Sequence, residues 1–508
     1  MPPPMTSLCR GSCLRAAILG LVASWGTALG QVAEADRPNV LLIMVDDLND
    51  WIGCYDGHPQ AETPNLDRLA RRGVRFTNAH CTAPLCNPSR AAIFSGCHPL
   101  RTGVLANDDQ DIRSAAPELV LLPEHFAAAG YETLGAGKLL HQSSRGLFQQ
   151  GSFPHLRWSP FSPGDVLYTD VELPSKGTLA QRHQATLKGQ TISLPLNGMP
   201  SDRLRGSPQG ESFDWGPLPV TDRDMGDGQI AEWAAARLRE PRDKPFFLAV
   251  VFYRLHIPLF APQQYFDRLP EETVVLPHSP ADDLDDLPAF AREIALEADT
   301  AGLQASVLRH DQWGAATRGY LACVSFVDSQ VGKLLDALDA GPHGQSTIVV
   351  LMSDHGWHLG EKQHWGKWTL WRTATRVPLV IALPRGREGV GSDRPVSLLD
   401  VYPTLLDACR LPPRAGLDGR SLLPELRESG AASSVAPVLC VRDRGNYALI
   451  GSEWHFIRYR DDSQELYAAA DANQWENLAG SPDHQEVLAT LNRELNERLE
   501  AFPEQVGK

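Results

Sequence analysis

Three continuous apolar segments are the most regular feature of the chain. They cover residues 40–45, 245–253 and 347–352, and a shorter strand-like segment covers 131–134. Apolar runs of this length, bounded by polar residues, are typical of strands buried on both faces of a parallel sheet. The pattern therefore predicts an α/β domain with these four strands in its interior.

Apolar residues that recur every three or four positions predict helices between the strands. The clearest case is 320–338, where one apolar stripe runs along the whole segment. Thr63 is expected to cap a helix whose first residue is Pro64, since proline is well tolerated at that position. Further helices are predicted over 230–238, 399–406 and 485–499.

Three other segments have no sustained periodicity. Residues 142–224 are rich in Gly, Pro and Ser, and are predicted to form an irregular insertion at the mouth of a pocket. Residues 281–299 are acidic and are expected to form a loop, and 428–436 are expected to form a linker. Short strands are expected after the linker, over 438–441, 447–450 and 453–459.

Polar side chains of related chemistry follow the four predicted strands. Open α/β sheets bind their ligands beyond the carboxyl ends of the strands. We therefore expect the carboxylates, the lysine and the histidines at these four ends to converge on one site. These residues are Asp46 and Asp47, Lys138 and His141, His256, and Asp354 and His355.

The stretch Cys86-Asn87-Pro88-Ser89-Arg90 adds a sulfur atom to this set. Pro88 suits the first turn of a helix, because its missing N–H would be unpaired there in any case. Cys86 is then expected just before the helix N-terminus, where free amides and the helix dipole favour an anion. Arg90 can return over the same end. Taken alone, the motif also fits a buried or disulfide-bonded cysteine before an ordinary helix.

The overall charge requires any anion site to be local. The chain has 508 residues, of which 43% are hydrophobic and 21% charged, and its formal net charge is -15. This is ordinary globular composition, long enough for two or three domains. The negative charge argues against nonspecific binding to nucleic acid or to anionic membranes. A site for an anionic substrate must therefore concentrate its own positive charge.

The N-terminus has the features of a secretory signal over residues 1–30. Arg10 and Arg15 precede the apolar run 16–23, and small residues at 28–30 offer a cleavage site. The run is too short for a membrane span, and no second candidate follows it. We expect an exported protein, located in the periplasm, outside the cell or in a lysosome-like compartment. Seven cysteines lie beyond the signal, an odd number with neither a disulfide framework nor a zinc-type pair.

In order and spacing, these motifs resemble those of the type I sulfatases. The resemblance is carried by the Cys-x-Pro-Ser-Arg motif at Cys86 and the Gly-Lys-x-x-His motif at Lys138. It continues with His-x-Pro at His256, Asp-His at Asp354 and Gly-Lys at Lys367.

The resemblance implies an alkaline-phosphatase-like α/β fold, with a mixed, mainly parallel sheet flanked by helices. The catalytic domain would cover 31–427. A smaller C-terminal α+β subdomain with an antiparallel sheet would cover 437–508.

The same resemblance implies a sulfuric ester hydrolase whose nucleophile is formylglycine (3-oxoalanine), made from Cys86 by a formylglycine-generating maturation enzyme. It also implies one divalent metal ion, for which oxygen-rich ligation and the family suggest Ca²⁺. The implied ligands are Asp46, Asp47, Asp354, His355 and an oxygen of the converted Cys86.

The remaining motif residues would bind and process the ester. Arg90, Lys138 and Lys367 are expected to hold the sulfate oxygens where negative charge develops. His256 would protonate the leaving oxygen, and His141 would orient or deprotonate the formylglycine hydrate. The predicted substrate-binding residues are Lys138, His256 and Lys367.

Two details are similar to the iduronate-2-sulfatase branch of the family, namely His355 in place of Asn and the 138–141 spacing. They suggest a sulfated sugar with an iduronate-2-sulfate-like ester, in a glycosaminoglycan or an algal polysaccharide. Asn87 and Arg372 depart from the pattern, since many relatives have a small residue and Glu there. Three residues follow the first two motifs and could face substrate, while surface or packing roles stay equally open for them, namely Trp51, His98 and Asn107.

Two other functions stay open from the sequence. One is a formylglycine-dependent phosphodiesterase or phosphonate monoester hydrolase, because the cationic clamp would bind a phosphorus ester equally well. The other is an exported glycan-binding protein in which Cys86 is not converted. Binding alone would not require both His256 and Lys138.

Overall fold

The computed structural model of the chain describes residues 37–142, 144–154, 166–168, 183–200, 202, 212–298, 300–428 and 436–502. The predicted signal at 1–30 and most of the predicted linker at 428–436 lie outside the described residues.

An eight-stranded sheet forms the centre of the molecule. Its strands, in chain order, are β1 (Asn39–Val45), β2 (Val74–Phe76), β3 (Glu132–Gly137), β4 (Gln150–Ser152), β5 (Phe246–Phe252), β6 (Thr347–Ser353), β7 (Leu379–Ala382) and β8 (Val390–Ser392). Their spatial order is β8-β2-β7-β6-β1-β5-β3-β4. The run β6-β1-β5-β3-β4 is parallel, whereas β7 is antiparallel to both of its neighbours. The four strands predicted from the sequence are present and adjacent.

Helices cover both faces of this sheet. They include α1 (Pro64–Ala70), α2 (Cys86–Ser95), α3 (Gly226–Arg239), α4 (Trp313–Ala340) and α5 (Val401–Ala408), whereas α6 (Gln485–Leu499) packs elsewhere. Every residue of β1 is buried, and alternate residues face opposite layers. Leu41 and Ile43 pack in the layer that contains α1, α3 and α4, while Leu42 and Met44 pack in the layer of α2 and α5. The continuous apolar run of β1 thus follows from burial on both sides, and the predicted fold class is confirmed.

A four-stranded antiparallel sheet lies near the C-terminus. Its strands are β9 (Val438–Asp443), β10 (Asn446–Ile450), β11 (Trp454–Arg458) and β12 (Gln464–Ala468). Helix α6 packs on it through Leu488, Leu491, Leu495 and Leu499. The predicted strands and the final helix are confirmed in this part of the chain.

The structure corrects three predictions. Within 142–224 the described residues include regular strands. Gln190–Leu194 pairs with His183–Leu187, and Trp215–Leu218 pairs with Leu259–Pro262, so the insertion is not irregular throughout. The acidic segment 281–299 contains the helix Ala289–Ala295. Thr63 stands at the N-cap of α1, but its hydroxyl contacts other residues and caps no helical amide.

The remaining elements are short. The helices are Pro99–Thr102, Ile112–Ala115, Leu122–Ala128, Gln263–Phe266, Gln304–Arg309, Arg372–Thr375 and Leu423–Arg427, and paired short strands include Ala79–His80 with Val396–Ser397. Among the described residues, none of the helices combines the length and the apolar character needed to cross a bilayer.

Candidate active site

The carboxyl ends of β6, β1, β5 and β3 meet at one edge of the sheet. Val45 at the end of β1 pairs with Phe252 of β5 and with Ser353 of β6. Val251 of β5 pairs with Gly137, the last residue of β3. Because these registers align, the polar residues that follow the four strands are brought together.

Lys138 reaches the site because β3 ends on a glycine. Gly137 has a φ of +86°, and a Cβ atom there would lie 1.8 Å from the carbonyl oxygen of Val251. Only glycine permits this conformation and this approach. The Nζ atom of Lys138 lies 2.7 Å from Asp46 Oδ2 and 3.7 Å from Cys86 Sγ. Burial alone would lower the pKa of Lys138, but Asp46 and Cys86 raise it, so the amine is charged.

Cys86 is the first residue of α2, with Leu85 as its N-cap, so the helix begins one residue earlier than predicted. Its side chain has no exposed surface. The Sγ atom lies 3.0 Å from Lys367 Nζ and 3.4 Å from His355 Nε2. Burial and Asp46 raise the pKa of the thiol. The unmodified cysteine is therefore neutral, and a neutral thiol is a weak nucleophile.

Asn87 and Asn107 hold the start of this helix. The backbone N–H of Asn87 donates to Asn107 Oδ1 at 2.9 Å, and its side-chain amide donates to the carbonyl of Ala106 at 3.0 Å. The side chain of Asn87 therefore fixes the loop beside α2. Its departure from the small residue of the family pattern has this structural explanation.

Arg90 links two of the predicted metal ligands. Its guanidinium lies 3.0 Å from Asp46 Oδ1 and 2.9 Å from Asp354 Oδ2, and all three side chains are fully buried. The hydroxyl of Ser89 donates to the carbonyl of Asp354 at 2.6 Å. Although burial alone would lower it, Asp354 and Asp46 raise the pKa of Arg90 above its usual range. Such charges are tolerated in the interior only because each is paired and hydrogen-bonded.

Lys367 follows a small hairpin formed by His358–Leu359 and Trp365–Gly366. Its Nζ atom lies 2.6 Å from Asp47 Oδ1 and 3.0 Å from Cys86 Sγ. Burial alone would lower the pKa of Lys367, but Asp47 and Cys86 raise it above its usual range. Both predicted lysines are thus charged and within 4 Å of the sulfur.

Four side chains present donor atoms that fit one metal ion. Asp46, Asp47, Cys86 and His355 each offer one atom, and these atoms lie within 4.8 Å of one another. Oδ2 of Asp47 is buried and has no hydrogen-bond partner in the described part of the chain. Burial raises the pKa of Asp47 to about 7, against the opposing effect of Lys367. A buried, unpartnered carboxylate oxygen is costly, and a bound cation would remove that cost.

Asp354, the remaining predicted ligand, lies beside this group. Its Oδ2 atom is 3.5 Å from His355 Nε2 and accepts a hydrogen bond from Arg90 Nε at 2.9 Å. Its Oδ1 atom accepts from the backbone N–H of His355 at 3.0 Å and of Asp47 at 3.3 Å. Its role as a metal ligand stays a prediction.

His256 lies close enough to Lys138 and Lys367 for their charges to act on its ring. Its Nδ1 atom donates to the carbonyl of Ile257 at 2.8 Å, and its ring stacks on Tyr253 with centroids 4.9 Å apart. Nε2 is therefore the nitrogen that can exchange a proton. Burial, Lys367 and Lys138 hold the pKa of His256 well below its usual value.

His141 lies half-buried at the edge of the same group. Burial and then the charge of Lys138 lower its pKa to about 3, with a further contribution from Arg90. The ring is therefore neutral, as a residue that accepts a proton must be.

The C-terminal sheet supports this site through contacts that the sequence did not reveal. The Nε atom of Arg442 donates to the carbonyl of Trp368 at 2.7 Å, and its guanidinium lies over the Trp368 ring. The backbone N–H of Trp368 in turn donates to the carbonyl of Pro84 at 2.9 Å. Arg442 thus fixes the residue after Lys367 and, through it, the loop before Cys86.

Glu465 is a second support from the same sheet. Its buried carboxylate accepts from Trp371 Nε1 at 2.8 Å and from the hydroxyl of Tyr459 at 2.5 Å. Tyr467 also donates to it. The only sequence signal of this role is an acidic residue within the short strand Gln464–Ala468.

Asp227 of α3 supports β5 in a similar way. Its two carboxylate oxygens accept from the backbone N–H groups of Tyr253 at 2.8 Å and Arg254 at 2.9 Å. The turn that leads to His256 is therefore anchored to a helix. Burial raises the pKa of Asp227 to about 6, opposed by Arg254.

Three other residues singled out from the sequence lie away from the sulfur. Trp51 is buried and packs edge-on against Tyr320. His98 caps the short helix after it, and its Nε2 atom lies 3.2 Å from the carbonyl of Leu439. Arg372 contacts the segment that follows β12 rather than Lys367. We infer packing roles for all three.

Comparisons with known proteins find matches along most of the chain. A model of the Sulfatase family matches residues 38–410. A protein named Sulfatase from Formosa agariphila is 36% identical over 459 residues, covering 88% of this chain and 84% of that protein. Human iduronate 2-sulfatase is 32% identical over 399 residues, covering 76% of this chain and 66% of that protein.

Two solved structures illustrate the similarity in fold. A 2-O GAG sulfatase superposes with a TM-score of 0.67 at 23% identity, covering 92% of this chain and 93% of that chain. A phosphonate monoester hydrolase from Silicibacter pomeroyi superposes with a TM-score of 0.71 at 19% identity, covering 92% and 96%. At these identities the similarity concerns the fold alone, and it does not distinguish sulfur from phosphorus chemistry.

Proposed function

Since this chain belongs to the sulfatase family and is a sulfuric ester hydrolase, we propose that it hydrolyses sulfate esters of sugars with a nucleophile made from Cys86. One observation carries the proposal. The Sγ atom of Cys86 is buried within 3.7 Å of two charged lysines, at the metal-fitting group of carboxylates.

Conversion of Cys86 to formylglycine accounts for this environment. The raised pKa of the thiol makes the unmodified side chain a poor nucleophile in its present surroundings. The metal would be held by Asp46, Asp47, His355 and the converted Cys86, with Asp354 as a further candidate. When bound, the metal would polarise a sulfate oxygen, and the formylglycine hydrate would supply the attacking hydroxyl.

The chain's own cations would bind the ester. The Nζ atoms of Lys138 and Lys367 lie 3.7 and 3.0 Å from the sulfur position, so both would donate hydrogen bonds to oxygens of a bound sulfate. Arg90 would act mainly by holding Asp46 and Asp354 in place, since its guanidinium is occupied by their carboxylates. These charges are fixed before the substrate arrives, as electrostatic stabilisation of a transition state requires.

His256 would donate the proton to the leaving sugar oxygen. Its Nδ1–H is held by Ile257, which leaves Nε2 to carry the transferred proton. Burial and the two lysines keep the pKa of His256 low, and a bound sulfate would offset part of the lysines' positive charge. His141, neutral beside Lys138, would accept a proton from the nucleophile.

We propose an iduronate-2-sulfate-like ester as the substrate. Support comes from the 32% identity with human iduronate 2-sulfatase and from His355 within the metal-fitting group. We further propose that the protein is exported and that a formylglycine-generating enzyme matures it. The runner-up is a formylglycine-dependent phosphodiesterase or phosphonate monoester hydrolase, because the same cations would bind a phosphorus ester and the fold occurs in such an enzyme.

An activity comparison tests this proposal. The protein, produced with a formylglycine-generating enzyme, is incubated with a 2-O-sulfated iduronate disaccharide, a 6-O-sulfated glucosamine and a phenyl phosphonate monoester. We expect sulfate release from the first substrate to be fastest, and Cys86→Ala to abolish it. Faster cleavage of the phosphonate ester would establish the runner-up instead. Faster release from the 6-O ester would contradict the proposed position.

A further inference from the structure

A second cationic region lies at the opposite end of the central sheet. A cleft of about 510 Å³ opens where β1 and β6 begin, and the loop after β7 forms one wall. None of the described residues that line it is acidic. Five of them are arginines, namely Arg37, Arg385, Arg387, Arg410 and Arg427.

Two of these arginines are partly engaged by backbone groups. Arg37 donates to the carbonyl of Ala129 at 3.0 Å. Arg387 donates to the carbonyls of Glu425 and Glu428, both at 3.0 Å. These contacts orient the guanidinium groups without neutralising them, because a carbonyl carries no net charge.

The other three, Arg385, Arg410 and Arg427, are exposed and come from separate segments. Arg385 follows β7, Arg410 follows α5, and Arg427 ends the helix Leu423–Arg427. Within the described ranges, none of the five arginines forms an ion pair with a carboxylate. Glu425, whose backbone carbonyl accepts from Arg387, has its carboxylate paired with Arg420 at 2.6 Å.

This concentration of charge is unusual for the chain as a whole. The formal net charge is -15, yet this cleft is lined by five arginines and by no acidic residue of the described chain, so positive charge is concentrated there. Arginine presents a planar fork of donors that matches the oxygens of sulfate and carboxylate groups. The cleft therefore suits a ligand that carries several such groups.

We propose that this cleft is a second binding site for a sulfated polysaccharide, distinct from the site that cleaves the ester. The inference rests on the proposed function, because a polymer with sulfate at one position carries further sulfate or carboxylate groups along its length. Exposed ion pairs are individually weak, so the cleft requires several contacts at once. A polyanionic chain provides them, and a single small anion does not.

The position of the cleft excludes direct participation in hydrolysis. The seven residues of β1 separate it from Asp46, which corresponds to about 23 Å at the usual rise of a strand. A saccharide in the cleft is therefore a different segment of the polymer from the one at Cys86. Occupancy should lower KM for long substrates and leave the hydrolysis of small sulfate esters unchanged.

Binding is measured with fluorescent dextran sulfate, and uncharged dextran of the same length serves as the reference. The background is Cys86→Ala, so that no turnover occurs. The triple variant Arg385→Gln, Arg410→Gln and Arg427→Gln is compared with a matched control, Arg239→Gln, Arg309→Gln and Arg493→Gln. The three control arginines are also exposed and form no ion pair within the described chain. Their substitution removes the same number of positive charges.

We expect the first triple variant to bind dextran sulfate about tenfold more weakly at physiological salt, since each exposed contact contributes a factor of about 1.5 to 5. The control should change binding less than twofold. Equal binding by wild type and the cleft variant overturns the proposal. Tighter binding of single-stranded DNA than of dextran sulfate at the cleft overturns it as well.

Kinetics separate this proposal from the proposed function. With Cys86 intact, the cleft variant should keep the kcat/KM of wild type on a small sulfate ester and show a raised KM on a sulfated polymer. Loss of activity on both substrates would contradict a remote site. If wild type cleaves no sulfated sugar while the cleft still binds dextran sulfate, the proposed function fails and the cleft proposal stands.

Discussion

The two ends of the central sheet use positive charge in opposite ways. At the carboxyl ends, Arg90 and Lys367 are buried and Lys138 is largely buried, and each lies within 3.0 Å of a carboxylate. At the amino ends, the five arginines of the cleft form no ion pair with a carboxylate of the described chain, and three of them are exposed. The difference lies in the surroundings of the cations rather than in their number.

Burial fixes the positions of the three cations at the carboxyl ends, and it also removes them from water, which costs free energy. The desolvation of three cations is offset only by Asp46, Asp47 and Asp354, so these positions cannot vary independently. The exposed arginines of the cleft stay hydrated, so their charges carry little desolvation cost. Salt screens them, and they bind anions without a fixed geometry. One end is thus suited to chemistry on a single ester and the other to the retention of a polymer.

Removal of one buried cation should have the largest effect. We expect Lys367→Gln to lower kcat/KM on a small sulfate ester by about 10²- to 10³-fold, because a fixed charge is lost where transition-state charge develops. Arg385→Gln is the matched control from the other end and should stay within twofold. Steady-state kinetics of both variants check this, and equal effects would remove the contrast between the two ends.

The buried end should also carry pH-dependent stability. Asp227 has its pKa raised from 3.8 to about 6 by burial, so its folded form favours the neutral carboxyl. Its contribution is present in full below about pH 4 and is lost as the pH rises through 6, a change of about 2–3 kcal/mol.

Urea unfolding of wild type and Asp227→Asn between pH 4 and 7 measures this contribution. The difference in unfolding free energy between the two proteins should shift in favour of the variant as the pH rises. A difference that is independent of pH would show that Asp227 does not titrate in this range. Arg385→Gln should leave the pH profile of stability unchanged.

Weakening the support that Glu465 gives to the candidate site should have an intermediate effect on activity and stability. Glu465→Gln leaves the volume unchanged but weakens the acceptor for Trp371, Tyr459 and Tyr467, so we expect a loss of about 1–3 kcal/mol in stability. A smaller fall in kcat than for Lys367→Gln should accompany it. Thermal unfolding and kinetics are compared with Glu476→Gln, an exposed control. Identical behaviour of the two variants would contradict the supporting role.

Raising the salt concentration should affect the two ends of the sheet differently. The smallest effect is expected for the hydrolysis of small substrates. Between about 50 and 300 mM NaCl, the kcat/KM for a small ester should change little, since buried pairs are screened weakly. Binding of dextran sulfate should fall steeply over the same range. A steep salt dependence of the small-ester reaction would indicate that its cations are accessible to solvent.

The sequence predicted the carboxyl end far better than the amino end. Buried strands produce continuous apolar runs, and the residues that follow them, such as Asp46 and His256, stand next to a visible pattern. The cleft arginines come from segments that span residues 37–427, and no local pattern connects them. Their meeting depends on tertiary structure alone.

The other features that the sequence did not predict also depend on tertiary structure. The helix Ala289–Ala295 lies in an acidic segment, and only a few of its side chains, such as Ile294, face the core. Arg442 holds Trp368, the residue after Lys367, and Glu465 holds Trp371, in both cases through contacts between distant parts of the chain. The one-residue error at Cys86 reflects a helix whose N-cap is the apolar Leu85, which carries no capping signal.

The central claim is that Cys86 becomes the nucleophile of a sulfatase. The most direct test is mass spectrometry of the peptide that contains Cys86, from protein whose sulfate-releasing activity has been measured in the same preparation. We predict that a thiol-free aldehyde replaces the cysteine and that its fraction follows the specific activity across preparations. Full activity in a preparation with only unmodified cysteine at position 86 would contradict the claim.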